Sequence, residues 1–229
     1  ISRSAYLERK MGEARKHADE ARLKLLETQL EPHMLFNTLA NLRALISVDP
    51  DRAQTMLDHM IAYLRATLDA SRTTTHSPRA EFDRLQDYLE LMSIRMGPRL
   101  KFDLQLPDEL AQHPVPALLL QPLVENSIKH GLEPNVAGGR ITVSAAQDGS
   151  DLVLRVRDTG VGLSDAASDG TRFGLVQVRE RLATLYGPRA ALSLQDAGDA
   201  EGGTLATIRL PLAMPLSPTT SSTPCTPPR

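Results

Sequence analysis

Glu125-Asn126-Ser127-Ile128-Lys129-His130 sets a carboxylate, an amide, an ammonium and an imidazole within one short stretch. On a helix with Glu125 at zero, Lys129, Asn126 and His130 fall at roughly 40°, 100° and 140°. Leu123, Ser127, Leu120, Val124 and Ile128 occupy roughly 160° to 300° of the same wheel. One face is therefore apolar and suited to packing on a sheet, while the other gathers polar groups. Asn126 can offer a neutral oxygen to a hard divalent cation, and Lys129 and His130 can meet phosphate oxygens. A solvated helix face has the same composition, so the neighbouring motifs decide. Asp158-Thr159-Gly160-Val161-Gly162 follows a strand-like run. An aspartate at a strand end can accept a hydrogen bond from an exocyclic amine, and the glycines let the backbone pass close to a flat base. Gly170-Thr171-Arg172-Phe173-Gly174 reads as a phosphate-contacting lid preceding a helix, and Gly202-Gly203-Thr204 opens the last strand.

These groups need a scaffold, and the chain changes character along its length. Residues 4–46 contain no glycine after Gly12 and are rich in Ala, Leu, Glu, Lys and Arg, which predicts helix. Asp49-Pro50-Asp51 is a turn, with Asp51 able to cap the next helix. That helix carries Ala53, Leu57, Met60, Ile61, Leu64 and Leu68 at three-and-four spacing. After a loop over residues 73–78, Ser77 caps a third helix with Pro78 at its first position. Phe82, Leu85, Leu89, Met92 and Met96 align on it, and Gly97-Pro98 ends it. From Leu100 to Leu106 apolar and polar residues alternate, which predicts a half-buried strand. Further strands are expected at 141–145, 152–157 and 205–210, with helices ending at Gly131 and spanning 175–186. An all-helical start followed by mixed strands and helices gives an α then α+β chain of two domains joined near Gly97.

Composition narrows the function classes. Lys and Arg number 26 against 28 Asp and Glu, so no overall field points to nucleic acid or a membrane surface. Aromatics are only 3% with no tryptophan, which disfavours base-stacking modules and direct nucleic-acid binding. The single cysteine, Cys225, cannot form an internal disulfide, in keeping with a reducing compartment. No apolar run reaches the ~20 residues of a membrane span. The chain starts at Ile1, so membrane spans or a sensor are expected in a missing N-terminal region.

The stretches LEPHMLFNTLANLRALI, LLLQPLVENSIKHGLEP, DTGVGL, VRERLATLYG and GGTLATIRLP together resemble the LytS/AlgZ-like sensor histidine kinases of the GHKL ATPase superfamily. The resemblance runs from about Leu23 to Leu212. It implies a helical dimerisation and phosphoacceptor hairpin, forming a four-helix bundle in a homodimer, followed by a Bergerat-type α/β sandwich that binds ATP and Mg²⁺. Asn126 would hold Mg²⁺, with Lys129 and His130 toward the phosphates. Asp158 would bind the adenine amine, and Gly160, Gly162, Thr171 and Gly174 would shape pocket and lid. Thr204 would support the adenine end. Arg172 stands where relatives usually carry glycine, and Gln177 where they carry asparagine.

The same resemblance makes His33 the phosphoacceptor. Leu35, Leu39, Leu42 and Ile46 share one helical stripe, while His33 and Asn37 lie on roughly the opposite side. Pro32 offers a kink between this stripe and the upstream Leu23, Leu26 and Leu30. Met34 occupies the place where many other histidine kinases have an acid, so Glu125 is the candidate polarising residue. The resulting divisions are residues 1–73 for the phosphoacceptor helices, 74–98 for a connecting helix, 99–214 for the ATP-binding domain and 215–229 for a disordered tail. The expected activity is ATP-dependent phosphorylation of His33, then transfer to a response regulator of LytTR type. The setting implied is the cytoplasmic portion of a bacterial inner-membrane sensor. The rival readings are a nucleotide-binding scaffold without catalysis and a GHKL ATPase that hydrolyses ATP.

Overall fold

The computed structural model describes residues 32–70, 73, 75–163 and 169–212, without the side chains of 32–33 and 169–173. The upstream helical stretch, the segment before the expected kink at Pro32, and the tail at 215–229 lie outside it. Helix α1 spans Pro32–Val48 and α2 spans Pro50–Ala70. A two-residue strand β1, Thr75–His76, leads into α3, Pro78–Met96. Strand β2 is Leu100–Gln105, β3 is Val115–Pro116, and α4 is Gln121–Asn126, continued by a π-helical turn over Ser127–Leu132. Strands β4, Gly139–Asp148, and β5, Asp151–Asp158, precede α5, Asp169–Tyr186, then β6, Ala191–Asp196, and β7, Thr204–Pro211. The main sheet has the order β2-β4-β5-β7-β6, parallel between β2 and β4 and antiparallel elsewhere. β1 and β3 form a separate antiparallel pair, Thr75 opposite Pro116.

Alternation makes one face of this sheet apolar. Ile141, Val143 and Ala145 on β4, Leu154 and Val156 on β5, and Ala206, Ile208 and Leu210 on β7 are all buried. Side chains two apart share a face, so the same alternation carries Asp158 and Thr204 inward at the end of the sheet. Over this face lie α4, with Leu120, Leu123, Val124 and Ile128 buried as the wheel predicts, and α5, through Leu175, Val178 and Leu182.

Ser77 caps α3 through the Ala80 N–H at 3.2 Å, with Pro78 following it. The expected stripe Phe82, Leu85, Leu89, Met92 and Met96 is buried throughout. Full burial of each such side chain contributes about 1.5–3 kcal/mol. Tyr88, Leu91, Glu81 and Arg84 are buried as well, so α3 is enclosed on more than its apolar stripe.

Three expectations need correction. On α2 the buried stripe is Ala53, Met56, Met60, Tyr63, Thr67 and Ala70, whereas Leu57, Ile61 and Leu68 are exposed. Both series have helical spacing, and only the position of α3 decides which faces inward. On α1 the fully buried positions are Met34 and Thr38; of the expected stripe Leu35 and Leu42 are partly buried against the core, while Leu39 and Ile46 face out. Strand β6 is an element beyond those expected, its Leu192 and Leu194 partly buried against the core. No helix among the described residues is long and apolar enough to cross a membrane.

Candidate active site

At the end of β5 the Asp158 carboxylate is buried and held by backbone. Its Oδ1 accepts from the Gly160 N–H at 2.9 Å and the Thr204 N–H at 3.2 Å, and the Ser127 side chain also bonds it. Burial pushes its pKa up, and these hydrogen bonds partly oppose that rise. The space around it depends on missing side chains. A Cβ on Gly160 would lie 2.3 Å from the Gly131 carbonyl, and one on Gly203 only 2.1 Å from the Asp158 carbonyl oxygen. Gly203 has φ +90°, a conformation glycine adopts without steric cost. The Val161 N–H donates to the Gly131 carbonyl at 3.1 Å, locking this loop to the end of the helix above.

That helix is aimed from its start by a buried ion cluster. Glu81 of α3 accepts from the Leu118 N–H at 3.1 Å and the Leu120 N–H at 2.9 Å, just before α4 begins. Leu118 has φ +60°, the one positive-φ residue other than glycine among the described residues. Such a backbone costs about 1–3 kcal/mol and persists only where its surroundings enforce it. The enforcing carboxylate is itself paired with Arg84 at 2.9 Å and with His76. Burial favours its protonation, but Arg84, His76 and the Leu120 N–H outweigh burial and hold its pKa down at about 2.

After Asn126 the helix widens into its π turn, in which the Glu133 N–H reaches the Ile128 carbonyl at 2.8 Å. Such turns accompany functional sites. Asn126 Oδ1 is buried with no hydrogen-bond donor on it. A buried unmet acceptor costs about 1–3 kcal/mol, and a neutral amide oxygen is a ligand that hard divalent cations accept. The donor chemistry therefore fits Mg²⁺.

Beyond Asn126, Glu125, Ile128 and Lys129 line a cleft of about 440 Å³ whose opposite wall is α1, through Met34, Asn37, Ala40 and Asn41. Arg95, Arg99 and Glu133 also line it, with Arg95 and Glu133 paired as ions. Glu125 and Lys129 thus share the cleft with Asn37 of α1, while Asp158, Gly160 and Thr204 form the buried corner beneath the same helix. His130 is half-buried and lies outside the cleft lining.

The side chains of His33, Thr171 and Arg172 lie outside the described residues. The stretch expected as a lid before a helix is instead the first turns of α5 from Asp169. Gly174 sits in that helix, where an added Cβ would make only an ordinary contact, 3.4 Å from Pro122 Cβ. Gly162 keeps its turn role at φ +81°, and Asp196 receives the next N–H, that of Leu163, at 3.1 Å. Asp196, Gly131, Ser127, Glu81 and Gln121 are contributors the motifs did not indicate. For Gly131 and Ser127 a signal existed, since both fall within the helical motif, small and on its inward side.

A mixed sheet whose inward aspartate lies beneath an asparagine-bearing helix defines a nucleotide module of the GHKL type. Accordingly, residues 114–214 match the histidine kinase-, DNA gyrase B- and HSP90-like ATPase family, and residues 21–100 match the histidine kinase family. The two matches together run over most of the chain and give it the make-up of a GHKL histidine kinase core. It is 32% identical over 181 residues to the sensor histidine kinase YpdA of Escherichia coli K12, covering 76% of this chain and 32% of that protein. To BtsS of the same strain it is 32% identical over 193 residues, covering 84% and 34%. To the sensor protein LytS of Oceanobacillus iheyensis it is 28% identical over 190 residues, covering 77% and 32%. The chain spans about a third of the length of these curated relatives.

Proposed function

We propose that this chain is the kinase core of a two-component sensor, binding ATP with Mg²⁺ and phosphorylating itself on His33. The observation that carries the reading is the cleft in which α1, the helix of His33, faces Glu125 and Lys129. Asp158 accepts the adenine amine, and Gly160, Gly162 and Thr204 shape the base pocket. Asn126 holds Mg²⁺, which neutralises phosphate charge, while Lys129 and His130 supply further positive charge and Thr171 and Gly174 lie toward the phosphates. The lone pair of a neutral His33 imidazole nitrogen attacks the γ-phosphorus as the bond to the β–γ bridging oxygen breaks. ADP leaves with that electron pair. The imidazolium so formed gives up a proton, for which Glu125 is the cleft carboxylate not paired with Arg95, as Glu133 is. Asn37 orients the ring.

Residues 1–73 act as the dimerisation and phosphoacceptor unit, 74–98 as the connection and 99–214 as the ATP-binding domain. The outward Leu39, Ile46, Leu57, Ile61 and Leu68 pair with a second copy of the hairpin. Phospho-His33 then donates to an aspartate of a LytTR-type response regulator, and the chain works on the cytoplasmic side of a membrane sensor.

The test is incubation with γ-labelled ATP and Mg²⁺. Wild type acquires acid-labile, alkali-stable label, whereas His33→Gln acquires none while binding ATP within about twofold of wild type, because the acceptor is separate from the nucleotide pocket. Label retained by His33→Gln, or steady phosphate release without labelling, refutes the proposal.

A further inference from the structure

Gln121, at the start of α4, is buried among polar groups from three separated elements. Its Oε1 accepts from Arg84 Nε of α3 at 3.1 Å. Its Nε2 donates to the Tyr63 hydroxyl of α2 at 2.5 Å and to Glu125 Oε1, one turn further on, at 2.8 Å. The guanidinium can only donate and the carboxylate can only accept, so the two partners fix which end of the amide points where. Three of the amide's four hydrogen-bonding positions are used. Tyr63, fully buried, also bonds Glu125, and its pKa is raised by burial and then by the negative charge of that carboxylate. Glu125 is half-buried and opens on the cleft facing α1.

A carboxylate at the mouth of a cleft ordinarily samples several rotamers. Here one oxygen is fixed by an amide that an arginine has already oriented, and that arginine is held by Glu81. We propose that Gln121 is a positioning residue for phosphotransfer, which together with Tyr63 clamps the Glu125 carboxylate toward the phosphoacceptor helix and ties its placement to α2. This rests on the kinase reading given above. A movement of α2 reaches Glu125 through the Tyr63 hydroxyl, both directly and by way of Gln121.

The test uses the full chain with wild type, Gln121→Glu and Tyr63→Phe, measuring initial self-labelling rates across ATP concentrations alongside thermal melting. Gln121→Glu keeps the shape and the acceptor for Arg84 but removes the donors and sets a like charge against Glu125. The maximal labelling rate falls by about tenfold to a hundredfold, the scale of a misplaced catalytic group, while the KM for ATP stays within about twofold. Tyr63→Phe, which removes one hydroxyl, lowers the rate by about threefold with the same KM. A Gln121→Glu protein that is folded and labels at the wild-type rate overturns the inference. So does a fall in rate and ATP affinity together in both variants, which marks a purely structural role. If Gln121→Glu does not fold, Tyr63→Phe decides: a wild-type rate overturns the inference and a lowered rate at unchanged KM supports it. A wild type that labels no histidine overturns the kinase reading and this inference together, which separates that failure from the others.

Discussion

Asp158→Asn separates recognition from stability more cleanly than any other substitution at this site. Both backbone donors, Gly160 N–H and Thr204 N–H, converge on one carboxylate oxygen, Oδ1. An asparagine with its carbonyl in that place keeps both bonds and turns the second oxygen into an amino group. Folding already disfavours the charge, since burial raises the carboxyl pKa, so removing it leaves stability within about 1 kcal/mol, or about 2–4 °C in Tm. The nucleotide experiences a different change. A charged acceptor for the adenine amine becomes a donor facing a donor, a loss of about 1.5–3 kcal/mol. ATP affinity falls roughly tenfold to 150-fold. GTP carries a carbonyl where ATP carries the amine, so its binding weakens far less or improves. Calorimetric titration with non-hydrolysable ATP and GTP analogues in Mg²⁺, with melting followed by circular dichroism, measures both effects. Equal weakening of the two nucleotides, or a collapse of Tm, refutes the assignment of Asp158 to the base.

Glu81→Ala removes the partner of buried Arg84 and of the Leu118 and Leu120 N–H groups, and costs about 3–5 kcal/mol in chemical denaturation. Glu81 also sets an acid limit. Its folded pKa of about 2 lies below the unfolded 4.5, so its contribution of about 3 kcal/mol is fully present above pH 4.5 and is lost as pH falls toward 2. Denaturation midpoints measured from pH 6 to 2.5 fall through that window in wild type and more weakly in Glu81→Gln. Gly160→Ala drives a Cβ into the Gly131 backbone and destabilises by at least about 1–3 kcal/mol, with loss of ATP binding. Gly149→Ala, whose Cβ would meet nothing within 4 Å, costs only the about 1–2 kcal/mol of its left-handed backbone, and comparative melting distinguishes the two.

Much of this arrangement is legible because it is local. Period-two alternation marks β2, β4, β5 and β7, and one wheel separates the inward Leu123, Val124 and Ile128 from Glu125 and Lys129. Asp158, Gly160 and Thr204 converge as their motifs suggest, because each stands at the end of a readable strand. What stayed hidden depends on partners remote in the chain. Gln121 meets Arg84 across 37 positions and Tyr63 across 58, and no spacing rule links such residues. The two stripes of α2 have equal helical periodicity, so only packing reveals that Tyr63 is inside and Ile61 outside. Strand β6 carries just Leu192 and Leu194 as apolar marks, too few to separate it from a loop. Reading residues 170–174 as a lid sets the start of α5 too late, because the helix already runs from Asp169 through both glycines and no local signal separates a glycine-bearing first turn from a loop.

The Glu81 contacts also decide where such a protein can be cut and rejoined. Gly97, with φ +61°, is the obvious seam in the covalent chain, and a chimera spliced there would graft foreign input helices onto this ATP module. That splice would discard the carboxylate that holds the Leu118 and Leu120 N–H groups and with it the aim of the asparagine-bearing helix. The grafted α3 would have to offer an acid and an arginine at the positions of Glu81 and Arg84 to serve as a substitute. A splice before Ser77 carries α3 along with the module it braces. Interchangeability of input and output parts, in this architecture, is therefore set by a buried ion pair in the first two turns of α3 rather than by the linker.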